Sequence, residues 1–201
     1  MRNLYKIQKK DIQNTGVVLA DAFQDDPFFK KTLDGFTLEQ KQVFYEGSVR
    51  YCLKYGEVYA TSEHLEGIAA WVPSKYADMT TWRAIRSGSF NSILKIGKKM
   101  FKMKSYFEPL EVQRRKNMKG NVYIYFIIVG VATKFHGQGF GKMLINAVIK
   151  KCEQIGMPLY LETTTEKNIF MYEKMGFRVL NKVIPPGINL PQWGMVRDPQ
   201  I

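Results

Sequence analysis

Cysteine is scarce in this 201-residue chain, and neither Cys52 nor Cys152 has a histidine or second cysteine at metal-ligand spacing. That argues against a disulfide framework and against a zinc site, and leaves buried free thiols in apolar helical patterns as the expectation. No apolar run approaches the roughly 18 to 20 residues needed to span a bilayer, and Met1-Arg2-Asn3-Leu4-Tyr5 leads into charge rather than into the apolar stretch of a secretory signal. A soluble, cytoplasmic protein with no membrane partner is therefore expected. Internal repeats and low-complexity tracts are also lacking, and the length suits one globular domain over residues 1–201. Acidic residues are the other shortage. Eighteen carboxylates face thirty Lys and Arg, for a net charge of +12, which disfavours a polycationic partner and favours an anionic one: nucleic acid, membrane or a multiply phosphorylated small molecule.

The excess charge is concentrated. Between Trp82 and Lys119 stand Arg83, Arg86, Lys95, Lys98, Lys99, Lys102, Lys104, Arg114, Arg115, Lys116 and Lys119 against only Glu108 and Glu111. Around this segment the chain alternates strands and helices. Leu4 to Gln8 alternates like a short strand, and Ile12, Val17, Val18, Leu19, Ala22 and Phe23 recur at helical spacing up to Asp25-Asp26-Pro27. Thr37 caps a second helix that stops at Gly56. Glu57–Thr61 and Gly67–Val72 form a hairpin about a polar turn. From about Met79 to Met118 the pattern is helical, with Gly88, Gly97 and Pro109 expected to break it. It reads as a basic helical insertion at about 77–119, because Val122 to Val131 then resumes as a ten-residue apolar run typical of a central strand. A helix from Gly139 to near Gly156 carries Leu144, Ala147, Val148 and Cys152 on one face. Pro158–Thr163 is a strand, Thr165 caps a short helix over Lys167–Met175, and Phe177–Leu180 and Trp193–Arg197 supply the last strands.

The glycine-rich turn His136-Gly137-Gln138-Gly139-Phe140-Gly141 lies between the strongest strand and a helix. Such a turn binds anions, because exposed backbone NH groups and the positive end of the helix dipole face the ligand together. A Walker A loop fails at two places: His136 stands where its first glycine belongs, and Met143 where its hydroxyl belongs. A Rossmann turn would need a third glycine at Lys142, and five residues, Ala132 to His136, separate the turn from the strand. Glu162, about twenty residues on at a strand end, does fit the ribose-binding acid of that pattern and keeps the alternative open.

His136-x-x-Gly139-x-Gly141 resembles the pyrophosphate loop of the GNAT acetyltransferase superfamily in all but its first residue, where arginine or glutamine is usual. Val129-Gly130-Val131, Leu161-Glu162-Thr163, Asn168, Tyr172 to Phe177 and Trp193-x-Met195-x-Arg197-x-Pro199 extend the likeness over roughly the last 80 residues. They look like the branch that includes puromycin N-acetyltransferase; upstream only Asp26-Pro27 and Ala70-Trp71-Val72-Pro73 are similar. The resemblance implies an α/β (α+β) GNAT fold, with a mixed sheet of about six to seven strands flanked by helices and splayed at the acetyl-CoA site. It further implies transfer of an acetyl group to a primary amine of a small molecule, by direct attack through a tetrahedral intermediate and without a metal. Val129, Gly130 and Val131 would hold the pantetheine arm, His136, Gly137, Gln138, Gly139, Phe140, Gly141 and Lys142 the pyrophosphate, and Asn168 would contact the cofactor. A homodimer is left open.

For proton transfer, Tyr172 occupies the superfamily's usual acid position. A phenol near pKa 10 protonating a thiolate near 8.5 works uphill by about 2 kcal/mol, so a hydrogen bond to the departing sulfur is part of its expected role. Many relatives place the base on the central strand, yet Val122 to Val131 has no carboxylate. Glu162 is the first candidate and Asp26 the second. Lys95-x-x-Lys98-Lys99-x-x-Lys102 has helical spacing, so the insertion is expected to solvate a charged face and pack its aromatic residues Trp82, Phe90, Phe101, Tyr106 and Phe107. The alternative function is an inactive GNAT scaffold binding nucleic acid or a membrane through this basic face, although a nucleic-acid partner is not the expectation.

Overall fold

The computed structural model describes residues 4–187 and 189–200; the side chain of Lys102, like Met1–Asn3, lies outside the described residues. In chain order the elements are β1 (Tyr5–Lys6), α1 (Ile12–Ala22), α2 (Pro27–Thr32), α3 (Leu38–Tyr55), β2 (Glu57–Ala60), β3 (Gly67–Pro73), α4 (Thr81–Ala84), α5 (Phe90–Ile96) and α6 (Lys99–Asn117). They continue with β4 (Ile124–Val131), α7 (Phe140–Ile155), β5 (Leu159–Thr163), α8 (Glu166–Glu173), β6 (Arg178–Val183) and β7 (Gln192–Arg197). The seven strands form one mixed sheet, in the order β1-β2-β3-β4-β5-β7-β6, antiparallel except between β4 and β5. This is the helix-flanked mixed sheet expected of the sequence.

Local signals explain most boundaries. Thr37 and Gln40 close a reciprocal capping box at the start of α3, a device worth about 1 kcal/mol. Asp26 caps α2 by accepting from the Phe28 and Phe29 amides at 2.9 and 3.1 Å, with Pro27 at the first helical position. That short helix was not expected from periodicity, and the first strand is only two residues long. Both faces of the sheet are covered. Ile68, Ala70 and Val72 of β3 face a core shared with α1 and α3, while Ala69 and Trp71 face one shared with α7 and α8. This two-sided burial makes β3 and β4 read as continuous apolar runs. Gly130 lets α1 lie directly on β4, since a methyl group there would sit 3.0 to 3.1 Å from Leu19, Phe23 and Ala22.

The insertion departs from expectation in three ways. Gly88 (φ 87°) and Gly97 (φ 60°) do break it, but Pro109 lies inside α6 without ending it. Proline there removes one ladder hydrogen bond; burial of Met103, Tyr106, Leu110 and Arg114 along one side keeps the helix on the protein. Second, the Gly97 turn puts Lys95 on α5 and Lys98 and Lys99 at the start of α6, so the lysine spacing does not build one stripe. Third, the aromatic residues are not all packed: Tyr106 is buried, whereas Trp82, Phe90 and Phe101 are 65%, 50% and 78% exposed. Cys52 and Cys152 are buried free thiols. Among the described residues no helix is long and apolar enough to cross a membrane.

Candidate active site

The sheet opens between β4 and β5. Their parallel ladder holds only Ile124 with Leu159 and Tyr125 with Tyr160, and beyond these pairs β4 stays with β3 while β5 stays with β7. A bulge on β4 determines what faces the gap. Ala70 pairs with Ile128 but Trp71 with Phe126, so Ile127 is an extra residue. On the near side of it the Ile124 amide donates across to the Pro158 carbonyl at 2.9 Å; on the far side the Ala132 amide donates the other way, to Glu66 of the β3 side, at 2.8 Å. Residues 124 and 132 would point the same way in a regular strand, since the pattern repeats every two residues. The extra residue reverses it, and the peptide groups of Val129 and Val131 turn toward the gap.

At the open end of β4 the glycine-rich turn begins. The Thr133 amide donates to Asp21 Oδ2 at 2.6 Å, tying the entry of the turn to α1. His136 folds back, its Nε2 donating to the Val131 carbonyl at 2.8 Å. The atypical residue thus braces the loop and occupies the Val131 carbonyl, leaving the Val129 peptide and the Val131 amide to the gap. Gly137 (φ 79°) and Gly139 (φ 85°) adopt the left-handed conformation with open space about each α-carbon. Gly139 is the N-cap of α7, so the first amides of α7, those of Phe140, Gly141 and Lys142, have no partner within the helix. Gly141 has neither a positive φ nor a tight neighbour; a methyl group there would rest 3.6 Å from Val131.

Glu162 sits two residues beyond the last β4–β5 pair. Its Oε2 accepts from the Tyr125 hydroxyl. Its Oε1 has no hydrogen-bond partner among the described residues and lies 3.6 Å from Arg114 Nη1. Burial holds its carboxyl above the usual carboxylate range, opposed by the Arg114 charge, by the hydrogen bond from Tyr125 and by the polar groups of Tyr160 and Arg114 nearby. Tyr172 of α8 is buried against Phe177, their rings edge-on at 5.3 Å, and burial lifts its hydroxyl well above 10. Asn168, one turn earlier and half-buried, donates its backbone amide to the capping Thr165 hydroxyl at 3.3 Å. Asp26, the second candidate base, is engaged twice, as the α2 cap and by the Thr164 hydroxyl at 3.4 Å from Oδ2.

The β4–β5 gap therefore gathers the Val129–Val131 backbone, the glycine turn and Glu162. Reasoning from sequence missed Tyr125, Arg114 and Asp21. Tyr125 was legible as one of two hydroxyl-bearing residues, with Tyr123, in the apolar run Val122 to Val131; Arg114 and Asp21 carried no local signal. A cleft of about 870 Å³ along α6, lined by Tyr106, Pro109, Val112, Val183 and Pro186 among others, contains none of the expected site residues.

A sheet splayed beside a strand–glycine turn–helix unit is the arrangement that the resemblance to GNAT acetyltransferases implies, and comparison with known proteins agrees. Residues 109–177 match the acetyltransferase (GNAT) family. An uncharacterised N-acetyltransferase of Schizosaccharomyces pombe is 27% identical over 218 residues, covering 97% of this chain and 83% of the relative. Among solved structures, a histone acetyltransferase HPA2 and related acetyltransferase from Corynebacterium glutamicum superposes with TM-score 0.68 at 16% identity, covering 99% and 97% of the two chains. The Drosophila melanogaster polyamine N-acetyltransferase does so with 0.66 at 11%, covering 97% and 98%. Residues 109–177 are thus similar to a GNAT acetyltransferase domain, and together with the full-length relative this supports an acyl-CoA-dependent N-acetyltransferase.

Proposed function

We propose that this protein acetylates a primary amine of a small molecule, with Glu162 as the base and Tyr172 as hydrogen-bond donor to the departing sulfur. The observation that carries the reading is the Glu162 carboxylate, two residues past the point where β4 and β5 part, with one oxygen held by Tyr125 and the other buried without a hydrogen-bond partner among the described residues. Acetyl-CoA supplies the activated acetyl thioester, which the amine attacks directly through a tetrahedral oxyanion. The residues fit it: the Val129 peptide and Val131 amide suit the amides of the pantetheine arm, and the open backbone from Gly137 to Lys142 suits the pyrophosphate. The Val129 amide is the natural oxyanion donor, a fixed contact typically worth about 3 kcal/mol. Glu162 Oε1 takes the ammonium proton. In this reading Asn168 and Tyr172 act from α8.

Small-amine acceptors are supported by the likeness to the Drosophila enzyme, which forms N-acetylagmatine, and aminonucleosides by the puromycin-branch motifs. The test is thiol release from acetyl-CoA with agmatine, phenethylamine, puromycin and a peptide N-terminus as acceptors. At least one small amine is turned over. Glu162→Gln then lowers kcat/KM by about 10²- to 10⁴-fold and removes the acid limb of its pH profile, which in the unaltered enzyme lies above the usual carboxylate range because burial favours the protonated form. Unchanged turnover and an unchanged limb would take Glu162 out of the mechanism; salt-sensitive nucleic-acid binding with no turnover would favour the inactive-scaffold reading.

A further inference from the structure

Among the described basic side chains between Trp82 and Lys119, Arg114 alone is buried, at 2% exposure. Its Nη2 donates to the Ala77 carbonyl at 3.1 Å and to Asp78 Oδ1 at 2.9 Å. Its guanidinium carbon lies 4.4 Å from the centre of the Tyr125 ring, whose hydroxyl holds Glu162. Nη1 points to the other Glu162 oxygen at 3.6 Å. The geometry of that last contact is informative. Nη2 and its two acceptors already anchor α6 to the segment after β3, and a fully formed hydrogen bond to Oε1 would take up one of the two lone pairs by which that oxygen accepts a proton. At 3.6 Å the pair is too long for a hydrogen bond and still within reach of charge–charge attraction.

We infer that Arg114 is a positioning residue for acetyl transfer: it orients the Glu162 carboxylate and balances its charge, making the helical insertion a working part of the site. The inference rests on the reading of Glu162 as the base. In the transfer step the C–N bond forms as the amine attacks, its ammonium proton passes to Glu162 Oε1 to give a neutral carboxyl, and the C–S bond then breaks with coenzyme A leaving as the thiolate; Arg114 keeps its proton and Tyr125 keeps its hydroxyl hydrogen, donated to Oε2. The charged and titratable groups around the carboxylate are Arg114 and Glu111 from α6, Tyr123 and Tyr125 from β4, Tyr160 from β5, and Asp78 from the segment after β3. Arg114 is the one cation in this set. Asp78, whose side chain is 37% exposed, tempers it from the other side.

The experiment titrates the Glu162 carboxyl by NMR in protein carrying ¹³C at the glutamate δ-carbon, the resonance being assigned by its loss in Glu162→Gln. Arg114→Gln removes the neighbouring cation, and the Glu162 midpoint is expected to rise by about one pH unit or more. Asp78→Asn removes the competing anion, and the midpoint is expected to fall. Arg114→Lys, which keeps the charge without the planar fork, is expected to leave the midpoint within about half a unit while lowering kcat/KM about tenfold. The acid limb of kcat/KM, measured with an acceptor from the thiol-release screen, moves with the NMR midpoint in each variant. A merely structural arginine would change melting temperature and leave the midpoint in place. If Arg114→Gln does not fold, Asp78→Asn decides, since a half-exposed side chain tolerates the change. Midpoints unmoved by these substitutions overturn the Arg114 inference and leave Glu162 as base untouched; unchanged turnover in Glu162→Gln overturns the base reading whatever the midpoints do.

Discussion

Tyr172 is enclosed by the apolar residues that α7, β5 and Phe177 contribute to one core, and its hydroxyl loses protons far less readily than a free phenol. Transfer of its proton to a thiolate near pKa 8.5 is thus further uphill than for tyrosine in water. A hydrogen bond to the sulfur needs no such transfer, and one to a charged group contributes about 1.5 to 3 kcal/mol. Tyr172→Phe should accordingly lower kcat by about 10- to 150-fold, with little change in KM for acetyl-CoA. Because the group stays protonated, the kcat profile should show no alkaline limb below about pH 10. Steady-state kinetics across pH checks both; undiminished kcat in the phenylalanine variant would remove Tyr172 from the chemistry. The tyrosine was legible from its motif, but its degree of burial was not, because Met171 and Phe177 beside it in sequence fit packing and catalysis equally well.

At the scale of the element, the strand–turn–helix unit was the most legible part of the chain. Gly139 and Gly156 bound α7 as read from sequence, both in the left-handed conformation. The two glycines after Gln138 differ in what they do. Gly139→Ala forces an alanine to φ 85°, a strain of about 1 to 2 kcal/mol, so the melting temperature should fall by about 2 to 8 °C and coenzyme A should bind more weakly by calorimetry. Gly141→Ala meets only ordinary contact with Val131 and should leave stability within about 0.5 kcal/mol. Equal losses in both variants would contradict this division. Pro109 shows the limit of local reading. A proline costs a helix about 3 kcal/mol, and whether α6 survives that cost depends on the surface it covers, which adjacent residues do not reveal.

Across the whole molecule, a net charge of +12 and an open turn at a helix start favour a ligand carrying several phosphates. Saturating coenzyme A, at about a hundred times its dissociation constant, should stabilise the fold by about 2.7 kcal/mol. Differential scanning fluorimetry should show a rise of several degrees that shrinks as salt is added. A shift indifferent to salt would argue that the positive charge does not assist binding. The insertion divides between two roles. Lys95 pairs with Glu39 at 2.8 Å, and Lys99 donates to Gln40 Oε1 at 2.9 Å, so these cations help fasten α5 and α6 to α3; Arg114 reaches the site.

The sequence by itself determined most of the elements, the caps Thr37 and Thr165, the glycine turn and the family of chemistry, because capping, periodicity and loop conformation are settled within a few residues along the chain. Tertiary structure alone decided three things. The extra residue at Ile127 turned Val129 and Val131 toward the gap, which only the register against β3 reveals. Asp26, a local cap of α2, acquired Thr164, 138 residues away, as a second partner rather than standing as an unengaged carboxylate. Glu162 acquired Tyr125, 37 residues away, and Arg114 from a helix that looked uniformly basic. Such partners are set by how helices pack on a sheet and by the cost of burying charge unpaired, and neither is written in the spacing of neighbouring residues.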